Sequence, residues 1–237
     1  MALTGQQGPS GNQDIADIDE GTSDFSRQLW NMNELPTDEA ICSWGDAGIP
    51  EYNFATWDAS HGMVTCLYYR LYFGITVANY FLTETESQAD DSTVAMQRAE
   101  ARFLRALYYY YAMDLFGNVP FLVTNSSENA PQAKRSEVFT FIENELLGTE
   151  DTKGCIEDMA EPKANTYGRA DKATAWVLLA RLYLNAKVYT GTAQWEKAAE
   201  YAEKAMKSAY TLCPTYKLLF MGDNNVNGAQ DEVLLPI

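Results

Sequence analysis

The 237 residues carry 17 Lys and Arg against 33 Asp and Glu, a formal net charge of −16. A surface of that sign repels nucleic acid and anionic membranes. With 46% hydrophobic and 13% aromatic residues, the composition excludes a disordered chain and suits a core in one or two domains.

No run of about 18 apolar residues is present, so no segment is expected to span a membrane. The opening MALTGQQGPSGNQD is polar and Gly-rich, without the apolar centre of a signal peptide. The apolar ending Val233–Ile237 is β-prone and has no partner after it. Both ends are therefore expected to be cuts from a longer protein. Cysteines stand at 42, 66, 155 and 213 without C-x-x-C spacing, beside a single His. That set disfavours a Cys/His zinc site. Cys66 and Cys213 lie in apolar helical patterns and read as small core residues.

In chain order, residues 1–24 read as loop and 25–33 as a short helix. Residues 34–57 hold two Pro and two Gly and read as irregular loop. Trp44, Tyr52, Phe54 and Trp57 argue against disorder there, so the loop is expected to have a function. Apolar residues at Val64, Leu67, Tyr68, Leu71, Ile75 and Ala78 predict a helix over 61–83. A polar connection, 84–93, leads to a helix over 98–116. That helix is apolar on nearly every face, as a helix packed by several neighbours must be. Gly117 can end it with a positive φ, and Pro120 prevents continuation. After a loop over 117–135, Ser136 is placed to cap a helix over 137–147. Residues 148–170 read as loop. Asp171 then caps 172–189 and Thr192 caps 193–208. The sequence is thus all-α, with six or so helices.

The central helix has a counterpart 74 positions on. Ala99, Ala101, Leu104, Ala106, Tyr109, Ala112 and Gly117 align with Ala173, Ala175, Leu178, Ala180, Tyr183, Ala186 and Gly191. The second copy, Trp176-x-x-Leu179-Ala180-x-x-Tyr183 followed by Trp195-x-x-Ala198…Ala202…Ala205, matches a tetratricopeptide unit with a lengthened loop. Small residues at those places let two helices approach closely. Two ordinary Ala-rich helices are the plainer alternative.

Sequence motifs for catalysis are absent: no G-x-S-x-G, Walker A loop or G-x-G-x-x-G occurs. The chain is therefore not expected to be an enzyme. His61, near a helix start, reads as a surface or capping residue. Asp223-x-Asn225-x-Asn227-Gly228 begins like a calcium loop, but Leu234 stands where the bidentate acid belongs, so a plain turn is expected. The aromatic loop remains. Flat rings stack on the apolar faces of sugars while Arg, Asp and Asn bond hydroxyls, and Arg27, Trp44, Asp46 and Trp57 have that chemistry.

Several longer strings carry a resemblance. Asn33-Glu-Leu-Pro-Thr-Asp-Glu39, Arg98-Ala-Glu-Ala-Arg-Phe-Leu-Arg-Ala-Leu107 and Asp114-Leu-Phe-Gly-Asn-Val-Pro120 resemble the SusD/RagB family. Gly168-Arg-Ala-Asp-Lys-Ala173 and Ala180-Arg-Leu-Tyr-Leu-Asn185 do so too. The resemblance implies a lipid-anchored, surface-exposed outer-membrane protein with tetratricopeptide helices. It also implies an oligosaccharide or α-glucan ligand, delivered to a TonB-dependent outer-membrane transporter. In a starch-binding member, Arg27 corresponds to a hydroxyl-bonding arginine and Trp44 to a glucose-stacking tryptophan; Asp46 is added from its chemistry. That member's neighbouring tryptophan falls on Cys42 and an asparagine on Ala47, which departs from its α-glucan pattern. Its calcium ligands would lie in a C-terminal portion beyond this chain, so no cofactor is expected here. The resemblance thus divides one domain into a glycan-site region over 1–60, tetratricopeptide-like helices over 61–210, and a loop with an edge strand over 211–237. The alternative from the residues alone is a tetratricopeptide interaction scaffold that binds no sugar.

Overall fold

The computed structural model of the chain describes residues 3–5, 11–126 and 128–236. It is all-α, with eight α-helices and one two-stranded ladder among the described residues. The chain divides into two compact units, one running through Val77 and the other Ala78–Pro236.

The first unit holds α1 (Phe25–Glu34), α2 (Ile49–Asn53) and the start of α3 (Gly62–Glu84). Asp24 caps α1 by accepting the Arg27 N–H at 2.9 Å. α2 lies inside the stretch expected to be loop. Gly48 precedes it with φ 101°, and Pro50 stands in its first turn. Pro is favoured there because its missing N–H has no helical partner anyway. α2 also has its own apolar seat: Leu35, Ile49, Tyr52 and Met63 form a small buried cluster, with Met32, Cys42 and Val64 packed on it. The long loop is therefore folded on a core of its own. The Tyr52 hydroxyl is buried there without a hydrogen-bond partner. Tyr52→Phe removes that orphan donor and keeps the ring. It should leave stability within about 1 kcal/mol of wild type, or raise it, in a urea melt.

The second unit contains the rest of α3, then α4 (Ser92–Phe116), β1 (Val119–Pro120), β2 (Gln132–Ala133), α5 (Arg135–Leu147), α6 (Lys172–Leu184), α7 (Ala186–Thr190) and α8 (Trp195–Met206). The helix expected at 98–116 begins earlier, because Asp91 caps it through the N–H groups of Thr93 and Val94. The loop over 117–135 includes a short antiparallel pair, Val119 facing Ala133 and Pro120 facing Gln132. Strands of two residues leave no alternation to detect.

The helix hairpins α4/α5 and α6/α8 dominate the packing of this unit. Three aligned pairs are buried alike, Ala99 with Ala173, Tyr109 with Tyr183 and Ala112 with Ala186, whereas Leu104 and Ala180 are only half-buried opposite buried Leu178 and Ala106. Gly117 and Gly191 end α4 and α7 with φ of 81° and 83°. Each aligned tyrosine uses its hydroxyl on a neighbouring segment: Tyr109 donates to the Leu122 carbonyl at 2.8 Å, and Tyr183 donates to Glu143 at 2.6 Å.

Asp171 caps α6 as expected, accepting from Ala173 and Thr174. Other boundaries differ. Asn185 interrupts the stretch expected as one helix over 172–189. Thr192 does not cap α8, because the helix begins at Trp195 and Gln194 holds the cap position. Ser136 lies inside α5; the first turn is closed by Glu137, whose carboxylate accepts the Lys134 N–H at 2.7 Å. Among the described residues, 233–236 form no strand, and the Leu234 carbonyl accepts from the Thr174 hydroxyl at 3.5 Å. The Asp223 string is a turn, closed by Asn227 donating to Asp223 at 3.0 Å. All four cysteines are unpaired. Cys213 lies past the end of α8 rather than in a helix.

Candidate functional site

Arg27, Trp44 and Asp46 meet on the surface of the first unit. Arg27 lies one turn into α1, with its backbone fixed by the Asp24 cap. Its Nη2 donates to Asp46 Oδ2 at 3.1 Å, and its Nη1 reaches the Gly21 carbonyl at 3.4 Å. The guanidinium carbon lies 5.9 Å from the centre of the Trp44 ring, within cation–π range. Trp44 is 65% exposed. A largely exposed indole beside a cation has the chemistry to stack on a flat apolar face. The Asp46 carboxylate and the remaining Arg27 N–H groups supply acceptors and donors at its edge.

The backbone that presents Trp44 and Asp46 is held at both ends. Upstream, the Asn53 amide clamps residue 42: its Nδ2 donates to the Cys42 carbonyl at 2.7 Å, and its Oδ1 accepts the Cys42 N–H at 3.3 Å. Downstream, the Gly48 carbonyl accepts from His61 Nε2 at 3.1 Å. The Ile49 N–H closes the same turn on the Asp46 carbonyl at 3.2 Å. His61 is buried and packs at a tilt against Tyr52, ring centres 4.6 Å apart. Burial pushes the Tyr52 phenol well above its usual range, so it stays neutral. Of the two roles its place before α3 suggested, His61 takes the capping one, accepting the Val64 N–H at 3.4 Å, and is not a surface residue. Asn53 escaped notice because its pairing to residue 42 follows no sequence period.

Trp57 leans on Tyr52, ring centres 6.0 Å apart. Cys42 packs against the small apolar core, and Ala47 is exposed. Trp30 and Phe54 add exposed aromatic surface to this unit. Among the described residues, no three of His, Cys, Asp or Glu are grouped so as to hold a metal ion.

A SusD-like family model described as "Starch-binding associating with outer membrane" matches residues 20–184. The chain belongs to the SusD-like family. It is similar to the starch-binding protein SusD of Bacteroides thetaiotaomicron, with 46% identity over 100% of this chain and 42% of that protein. A SusD-like protein of Bacteroides ovatus is 25% identical over 90% of this chain and 37% of its own length. The chain therefore spans less than half of either SusD-like relative. Among solved structures, a laminarin-binding SusD-like protein superposes with a TM-score of 0.71 at 24% identity, covering 91% of this chain and 46% of that one. A crystal structure with a xylogluco-oligosaccharide gives a TM-score of 0.73 at 24% identity, covering 90% and 43%. These likenesses establish the SusD-like helical fold.

Proposed function

We propose that this SusD-like chain binds a neutral oligosaccharide of α-glucan type at the cell surface, without catalysis, and passes it to a TonB-dependent transporter in the outer membrane. The observation that carries the sugar site is the triad: a largely exposed indole, 5.9 Å from a guanidinium that is itself bonded to a carboxylate at 3.1 Å. Trp44 stacks on the apolar face of a pyranose, while Arg27 and Asp46 bond its hydroxyls. The likeness to a starch-binding relative supports an α-glucan. The family description supports the outer-membrane setting, and the transporter follows from the family resemblance. The net charge of −16 does not oppose a neutral glycan.

Isothermal titration with maltoheptaose and β-cyclodextrin tests this. Trp44→Ala should weaken binding by about 1–3 kcal/mol, the range for a lost aromatic contact. Affinity for every glucan unchanged in that variant would remove Trp44 from the site. Heat from laminarin or xyloglucan oligosaccharides alone would keep the platform and change the sugar.

A further inference from the structure

We propose that the sugar site continues from Trp44 along α1, where Trp30 forms a second stacking subsite for a longer oligosaccharide. The proposal rests on the glycan reading above and extends it from one ring to two. Trp30 stands three residues after Arg27 on α1. Helical residues at that spacing are surface neighbours, their Cβ atoms about 5–6 Å apart. Arg27 is therefore a helical neighbour of one indole and lies in cation–π range of the other, at 5.9 Å from the Trp44 ring. Trp30 is 51% exposed, and among the described residues its ring pairs with no other aromatic. Nor is it a core residue left partly open. The inward face of α1 carries Phe25, Gln28 and Asn31, all buried.

The groups around Trp30 select its occupant. On a helix, the residues three and four positions away frame a side chain. For Trp30 these are Ser26, Arg27, Asn33 and Glu34: a hydroxyl, a guanidinium, an amide and a carboxylate. None of the four is apolar, so the exposed patch on this face is one ring wide. A protein-docking surface needs a contiguous apolar patch of a few hundred Å². A single flat ring with a hydrogen-bonding rim suits a pyranose instead, whose face is apolar and whose edge carries hydroxyls. Asn33 donates from Nδ2 to the Leu29 carbonyl at 2.7 Å, which fixes the amide and leaves its Oδ1 as an acceptor. Glu34 adds acceptors, and Arg27 adds donors, as they do beside Trp44 through Asp46 and the same guanidinium. α1 is secured at both ends, by the Asp24 cap and by the Leu35 N–H on the Asn31 carbonyl at 3.2 Å. Trp30 and Arg27 are thus held at one spacing, and a site built on a rigid element reads the length of its ligand. A chain that spans both rings should be preferred over a disaccharide that covers one.

The test uses the intact chain and two probes, maltose and maltoheptaose. The indole N–H resonances of Trp30 and Trp44 are assigned by their loss in Trp30→Phe and Trp44→Phe. Added maltoheptaose should shift both resonances with one midpoint. In titration calorimetry, Trp30→Ala should cut the maltoheptaose-to-maltose affinity ratio about tenfold, the size of one lost ring contact. Trp30→Phe keeps a flat ring and should recover most of that ratio, which a change in folding would not do. If Trp30→Ala does not fold, the two wild-type resonances decide alone. Maltoheptaose that shifts Trp44 and leaves Trp30 still overturns the proposal and spares the glycan reading. An unchanged ratio in Trp30→Ala does the same. If neither indole responds to maltoheptaose, the α-glucan reading fails and the second subsite falls with it.

Discussion

Glu145→Ala should cost the second unit about 3–5 kcal/mol, a loss of the size seen when one partner of a buried ion pair is removed. Glu145 lies on α5 and is buried. Its Oε1 accepts from Arg105 Nε at 3.1 Å and from Nη2 at 2.5 Å, and its Oε2 accepts from Arg102 Nη2 at 3.4 Å. One carboxylate thus neutralises two guanidinium groups on the α4 face. Arg105 keeps neutral partners, the Asn79 side-chain oxygen at 2.8 Å and the Val123 carbonyl at 3.1 Å. Those orient it but supply no charge. Alanine would leave a buried cation uncompensated and a hole beside it. For a domain of this size the change should lower the melting temperature by roughly 6–20 °C. Glu145→Gln keeps the shape and one acceptor, and should lose less. Salt should barely alter either result, because a buried pair is poorly screened. A loss below about 1 kcal/mol for the alanine variant would mean that water reaches Arg105 and that the pair is not a keystone of α4 and α5.

The same α4 residues show what could be read from sequence. The 98–116 helix and its echo at 173–191 announced themselves because burial on successive turns forces a helical period, and Ala99, Tyr109, Ala112 and Gly117 do play the same parts as Ala173, Tyr183, Ala186 and Gly191. Features with no period were lost. α2 is five residues long and owes its existence to Tyr52 and Ile49 filling a cluster whose other members come from residues 35 and 63. The Gly48-Ile-Pro50 string was a readable start signal, but Pro and Gly together looked like loop. Helix starts at Ser136 and Thr192 were misplaced for a related reason: a hydroxyl can cap, but whether it does depends on which N–H groups the packed chain leaves open. At the site, residue types and a family resemblance pointed to Arg27, Trp44 and Asp46, which the fold brings together. What holds them there, the Asn53 clamp and the His61 grip, spans 11 and 13 residues and left no trace in local composition.

Arg70→Ala should release the segment before α1 rather than melt the whole chain. Arg70 on α3 is completely buried. Its fork meets both oxygens of Asp14, Nη1 to Oδ2 at 2.7 Å and Nη2 to Oδ1 at 3.0 Å. The same guanidinium reaches back to Ser23, donating from Nε to its carbonyl at 3.0 Å and from Nη2 to its hydroxyl at 2.5 Å. Four bonds from one side chain tie residues 14 and 23 to the helix. Removing them takes the buried cation away from the Asp14 carboxylate, a loss of up to about 3–5 kcal/mol if the segment stays in place. It need not stay, because residues 11–23 lie at the surface and can open to water at lower cost. The opening should appear as rapid amide exchange and new proteolytic cuts before Asp24, with a smaller change in the global melt. It should also reach the proposed sugar site. Ser23 precedes the Asp24 cap of α1, and Gly21 supplies the carbonyl on which Arg27 leans. With that segment loose, Arg27 loses its fixed approach to Trp44, and maltoheptaose affinity should fall although no sugar contact was removed. Arg70→Lys keeps the charge but cannot form the fork, so it should fall between the two. Wild-type exchange over residues 11–23 in Arg70→Ala would show that the segment is held by its own turns and that the clamp is incidental to the site.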